Sequence, residues 1–188
     1  MKVRVLGVDP GSRKTGWGVV DVDGSSIVHV DNGVLFLDDD QDLTVRLVDL
    51  AHRLNDVVTT YGPDRAAVED VFVQKSARSA LILGQARGAV LTTLGLRGLR
   101  VTSYPASLVK QRVTGGGRAE KLQVAAMVSA LMGLKEHPFE DAADALAIAI
   151  AAALDGPVHL PSLQLKKKQA KNKGRDALAA LARAQGKL

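Results

Sequence analysis

The chain has no cysteine in 188 residues. That excludes a disulfide framework, a thiolate metal site and a cysteine nucleophile, and it suits a reducing compartment. Aromatic residues number six: one Trp, two Tyr and three Phe. With so few rings, one standing beside a candidate site is notable. No uncharged apolar stretch reaches 18 residues; residues 142–154 are apolar but short, and Asp144 interrupts them. A membrane span is therefore not expected. Met1-Lys2-Val3-Arg4 leads into a strand-like run with no signal-peptide cleavage region. These absences predict a soluble, cytoplasmic protein.

The net charge of +5 is unevenly placed. Residues 166–188 hold eight Lys or Arg against one Asp, which leaves 17 basic and 19 acidic residues elsewhere. The body is slightly acidic and the tail is basic. A basic tail suits nucleic acid or another polyanion; a solvated end with no partner is the plainer reading. The length suits one core. The expected organisation is a domain over residues 1–160 and a basic, flexible tail over residues 161–188.

Strand and helix patterns alternate. Residues 3–9, 16–22 and 26–36 read as three strands, the last two joined by the turn signal Asp23-Gly24-Ser25. Leu43, Leu47, Leu50, Leu54, Val57 and Val58 form a helical stripe over residues 43–60, ended by Gly62-Pro63. A short strand over 65–70, a helix over 76–94 and a fifth strand over 99–103 follow. Helices are expected over 106–113, 119–132 and 139–154, with a weak Ala-rich one over 175–185. This is an α/β layout with a mixed five-stranded sheet flanked by helices. Sites in such sheets form outside the carboxyl ends of strands.

Asp9 and Glu69 sit at two such ends. Asp141 and Asp144 stand three apart and so share a helix face. Each lies among Val, Leu, Ala or Gly, where a carboxylate is costly to bury without positive charge nearby. Arg4 and Arg65 are close in sequence, but residues 141–144 contain nothing basic. A hard divalent cation such as Mg²⁺ favours carboxylate oxygens and keeps its waters, so the set suits a metal-dependent phosphoryl-transfer site. Each acid alone has a simpler explanation. Asp9 in Asp9-Pro10-Gly11 suits a tight turn, Glu69 an ordinary strand end, and Asp141 a first-turn acid favoured by the helix dipole. Asp144, behind two alanines on an apolar helix, is harder to explain that way.

Phe72 follows the Glu69 strand and suits either a base-stacking residue or core packing. Lys110, Arg112, Arg118 and Lys121 surround Thr114-Gly115-Gly116-Gly117. Glycines with cations can hold phosphates, or the segment is a surface loop. It is not a Walker loop. Gly84 and Gly88, four apart in a helix, suggest close backbone packing on the sheet or on a second subunit. His29, His52, His137 and His159 lack metal-ligand spacing.

Gly7-Val8-Asp9-Pro10-Gly11-Ser12-Arg13-Lys14-Thr15-Gly16, Val68-Glu69-Asp70-Val71-Phe72, Leu83-Gly84-Gln85-Ala86-Arg87-Gly88 and Asp141-Ala142-Ala143-Asp144-Ala145-Leu146-Ala147 resemble, in this order, the RuvC family. The resemblance runs from about residue 2 to residue 154. It implies a ribonuclease H-like fold and a homodimer that nicks four-way DNA junctions symmetrically, leaving 5′-phosphate and 3′-hydroxyl ends. It further implies two Mg²⁺ ions, with Mn²⁺ as a substitute, held by Asp9, Glu69, Asp141 and Asp144. Phe72 matches a junction-contacting aromatic, and Lys110 and Lys121 match basic residues near the cleaved phosphate. Cooperation with a RuvA–RuvB branch-migration complex is implied as well. Two rivals stay open: an actin-like phosphotransferase, and a junction-binding module without catalysis.

Overall fold

Odd and even residues of the first strand point opposite ways, and both ways lead into apolar packing. The computed structural model describes residues 2–70 and 76–156. Strand β1 (Val3–Asp9) sends Val5 to one core and Leu6 and Val8 to another, all fully buried. A strand covered on both faces must be apolar on both, which is why residues 5–8 hold no polar side chain. Around it lie β2 (Lys14–Asp23), β3 (Ser26–Phe36), β4 (Arg65–Glu69) and β5 (Arg100–Tyr104), in the order β3-β2-β1-β4-β5. The first three strands form an antiparallel meander; β4 pairs parallel with β1 and with β5. The mixed five-stranded sheet expected from the sequence is present.

Helices cover both faces. α1 (Leu43–Tyr61) and α2 (Ala77–Leu96) bury Leu50, Leu54, Val90 and Leu94 against Leu6, Val8 and Val19. α3 (Ala106–Thr114), α4 (Lys121–Met132) and α5 (Glu140–Leu154) close the other face over Val5, Val20 and Ala67. In α5 every residue from Ala145 to Ala153 is buried. Its alanines let it lie directly on the sheet: a Cβ on Gly7 would stand 2.2 Å from the Ala145 carbonyl oxygen, and one on Gly18 would strike Leu146.

Element ends differ from the sequence reading where local chemistry decides. β2 begins at Lys14 because Lys14 and Thr15 pair with Phe36 and Leu35. α2 runs through Gly95 and gives way only before Gly98, which takes the left-handed backbone (φ 74°). α4 starts at Lys121, because Glu120 and Gln123 form a capping box.

α2 has the length and mean hydropathy (1.2) of a membrane span. It also carries Arg78 and Arg87, and it buries Ala86, Val90 and Leu94 in the domain core, as a packed helix of the fold does. Gly84 and Gly88 narrow one expectation: among the described residues, a Cβ on either meets nothing within 4 Å. They do not serve close packing on the sheet.

Phe72, the boundary expected near residue 160, the basic tail and the expected helix over 175–185 lie outside the described residues.

Candidate active site

Strand register gathers the acids. Val5 and Ala67 face α5, and side chains alternate along a strand, so Asp9 and Glu69 face α5 too. The last paired residues of β1 and β4 are Val8 and Val68, which leaves Asp9 and Glu69 as neighbours one step beyond. Adjacent strands lie about 4.8 Å apart, so the two carboxyls meet. The loop after Asp9 is closed by Thr15, whose hydroxyl accepts from the Gly11 amide and donates to the Gly11 carbonyl. Asp9 is therefore not needed to hold its own turn.

α5 brings the other two acids. Gly16 pairs with Asp9 across the β1–β2 ladder, and a Cβ on Gly16 would stand 1.9 Å from the Asp141 carbonyl oxygen. The first turn of α5 is thus pressed beside Asp9. One turn on, Asp144 joins Asp9 and Glu69 in the wall of a cavity of about 620 Å³, together with Lys110, Lys121 and Asp70. Asp141 does not line the cavity, but its charge reaches Asp9.

The electrostatics follow from this crowding. Burial first, then the hydrogen bond and charge of Glu69 and the charges of Asp144 and Asp141, push the Asp9 carboxyl up to about 9. Burial likewise raises Asp144; Lys121 opposes that, while Glu69 and Glu140 add to it. Lys121 opens α4 and reaches across to α5, 2.6 Å from Glu140 and 3.5 Å from Asp144. Its hydrogen bond to Glu140 and the two carboxylate charges raise it above the ordinary lysine range, against its partial burial.

The arginines near in sequence do not serve the acids. Arg4 holds Asp21 through two hydrogen bonds, and Arg65 donates to the carbonyls of Ala152 and Gly156 at the end of α5. Arg112 pairs with Asp155 at 2.7 Å. Arg118 lines a separate hollow with Thr114, Gly116 and Gln123. Of the four cations around the glycine segment, Lys110 and Lys121 alone line the acid cavity.

Two residues of the site escaped the sequence reading. Glu140 is the main partner of Lys121; its place one turn before Asp144 was the available signal. Arg87 anchors the end of β4. It donates to the Glu69 carbonyl at 3.1 Å, to Asp70 at 2.7 Å and to Ser103 at 2.6 Å. A lone Arg within a run of apolar and small residues was the clue.

Among the described residues, no three carboxylates or imidazoles form a closed metal cage. The donor set still fits a hard divalent cation. Mg²⁺ keeps several waters and takes only one or two carboxylates beside substrate phosphates, so an open cavity with ionisable oxygens is what it needs. Burial and the neighbouring acids both push the Asp9 carboxyl up, so a cation bound beside it would favour its ionised form.

Comparison with known proteins agrees with this geometry. The family described as crossover junction endodeoxyribonuclease RuvC matches residues 5–152. The RuvC protein of Citrifermentans bemidjiense is 50% identical over 149 residues, covering 79% of this chain and 91% of that protein. A Thermus thermophilus RuvC, solved in complex with a Holliday junction substrate, superposes with a TM-score of 0.76 at 35% identity, over 80% of this chain and 93% of that one. The yeast mitochondrial Holliday junction resolvase shares the fold, with a TM-score of 0.58 at 14% identity over 80% of this chain and 79% of its own. With three acids converging at the strand ends of a ribonuclease H-like sheet and half of the residues shared with such a relative, the chain belongs to the RuvC family of crossover junction endodeoxyribonucleases.

Proposed function

We propose that this chain, a Holliday junction endonuclease by family, hydrolyses DNA phosphodiesters in the cavity where Asp9, Glu69 and Asp144 meet. The single observation that carries this is their convergence from three separate elements, with Lys110 and Lys121 in the same wall. Water attacks phosphorus, the bond to the 3′ oxygen breaks, and the products carry 5′-phosphate and 3′-hydroxyl ends. Asp9, Glu69, Asp141 and Asp144 would hold divalent cations, two Mg²⁺ per subunit with Mn²⁺ as a substitute. Bound there, the metal supplies Lewis-acid activation of water and of the leaving oxygen. Lys121 offers charge to the phosphate as negative charge builds up, and Lys110 helps seat the strand. Phe72 contacts the junction, while Arg112 and Arg118 meet phosphates farther from the cut. The rival readings are less favoured: curated relatives at half identity are named as endodeoxyribonucleases, and all four acids are present.

Four-way DNA has twofold symmetry, so a homodimer would cut two like strands. The open face of α2 supports this assembly: Gly84 and Gly88 have space around them, and Leu81 and Leu96 are 70% and 78% exposed. Cooperation with a RuvA–RuvB complex and work on chromosomal DNA in the cytoplasm belong to the same proposal. The test is incubation with a synthetic four-way junction, with and without Mg²⁺, mapping the cuts. Paired, symmetric, metal-dependent nicks are expected. Binding without cutting under every divalent cation would overturn the reading.

A further inference from the structure

Among the described residues there are five aromatic side chains, and three of them pack inward. Tyr104 is buried, and Trp17 and Tyr61 stack on each other at 5.2 Å. Phe36 and Phe139 do the opposite. They are 50% and 72% exposed, and they meet each other edge to face, with centroids 6.2 Å apart and planes at 87°. Phe36 ends β3, and Phe139 is the N-cap of α5, 103 positions later. Lys14, opposite Phe36 in the ladder and exposed, holds its ammonium 5.6 Å from the Phe36 ring centre.

Placement gives the cluster its meaning. Phe139 stands two residues before Asp141, and its carbonyl accepts from Ala143 in the first turn of α5. Lys14 stands two residues before Gly16, whose backbone touches Asp141. The rings therefore sit beside the first turn of α5, on the β2–β3 side of the acids; they do not line the acid cavity but adjoin it through Glu140, whose carboxylate holds Lys121 of the cavity wall at 2.6 Å. A strand that enters the cavity has to leave over its edge. Lys14 already lies over the Phe36 ring, so among the described residues Phe139, 72% exposed, is the ring with the most surface left for a partner. An exposed aromatic ring with a cation nearby suits a nucleobase and its phosphate. Apolar rings this exposed contribute little to the fold, so their position is not explained by core packing.

We infer that Phe139 and Phe36, with Lys14, form a stacking platform for one unpaired nucleobase of the DNA strand flanking the cleaved phosphate. This rests on the acid cavity being the cleavage site. The experiment uses the full chain and a four-way junction carrying 2-aminopurine at single positions on either side of the cut, read by fluorescence in EDTA so that no strand is cut. The unaltered chain should quench one position. Phe139→Ala should abolish that quench and weaken junction binding about tenfold, with Phe36→Ala giving a smaller loss and Phe139→Trp restoring both signals. Thermal melting checks that each variant folds. No quenched position with the unaltered chain, or a quench that persists in both alanine variants, overturns the inference. A ring pair that serves a protein partner gives that same null result. Mg²⁺-dependent cutting by the unaltered chain reports separately on the cavity.

Discussion

Gly16→Ala tests whether the contact between β2 and α5 sets the geometry of the acids. The new Cβ would lie 1.9 Å from the Asp141 carbonyl oxygen, 2.5 Å from its carbonyl carbon and 3.2 Å from the Ala142 nitrogen. All three are backbone atoms, so no rotamer change relieves the clash. Ordinary contact begins near 3.4 Å, so the first turn of α5 must retreat by about 1.5 Å. Forcing extra volume into a packed contact typically costs about 1–3 kcal/mol. For a domain of this size that lowers the melting temperature by about 2–4 °C per kcal/mol. The effect on catalysis should be larger, because a misplacement of about 1 Å costs on the order of 100-fold in rate. Gly95→Ala is the control, since a Cβ there meets nothing within 4 Å and Ala favours the helix by about 1 kcal/mol. Single-turnover junction cleavage, measured well below each melting point, should fall at least 100-fold for Gly16→Ala and stay unchanged for Gly95→Ala. Cleavage by Gly16→Ala within twofold of the unaltered chain would refute the reasoning.

Asp9→Asn and Asp144→Asn should each reduce cleavage by roughly three decades or more while junction binding persists, because affinity comes largely from phosphate contacts; a gel-shift titration beside a cleavage time course measures both. Asp21 predicts an acid limb: its hydrogen bond to Arg4, helped by Lys2, lowers its carboxyl to about 2, below the unfolded value near 3.9. Its contribution of about 2 kcal/mol is complete above roughly pH 5 and is lost as pH falls through about 2. Asp21→Asn should remove that amount at neutral pH and shrink the pH dependence of urea unfolding between about pH 2 and 5; an unchanged curve would break the assignment. Truncation after Leu165 should flatten the salt dependence of junction binding, since each neutralised phosphate contributes about −0.9 to the slope of log K against log salt. Equal slopes for the full-length and shortened chains would show that residues 166–188 do not touch DNA.

The local features were legible because local chemistry fixes them. Continuous apolar residues in β1, the Leu stripe of α1 and the alanines of α5 each gave the element and its buried face. Asp9 and Glu69 were found because carboxylates ending apolar strands are costly. The pairing of Arg4 with Asp21 was also within reach: a meander closed at residues 10–13 sets these two opposite each other. What could not be read depended on packing between distant segments. Arg65 looked available to the acids, yet it holds carbonyls 87 and 91 residues away. The pairing of Arg112 with Asp155, 43 residues on, needs α5 packed beside α3. The meeting of Phe36 with Phe139 needs the whole sheet in place first. For Gly84 and Gly88, helix spacing alone does not say whether the sheet or a second subunit lies opposite.

α5 is the last described element, and it supplies both a large share of one core and two of the four acids. A chain released or cut before residue 140 would have an uncovered sheet face and only half of the carboxylates. On the proposed function, nuclease activity would therefore have to wait until α5 is made and packed. For a junction endonuclease that ordering would act as a safeguard. Copies without α5 in place would lack two of the four acids and so the proposed site.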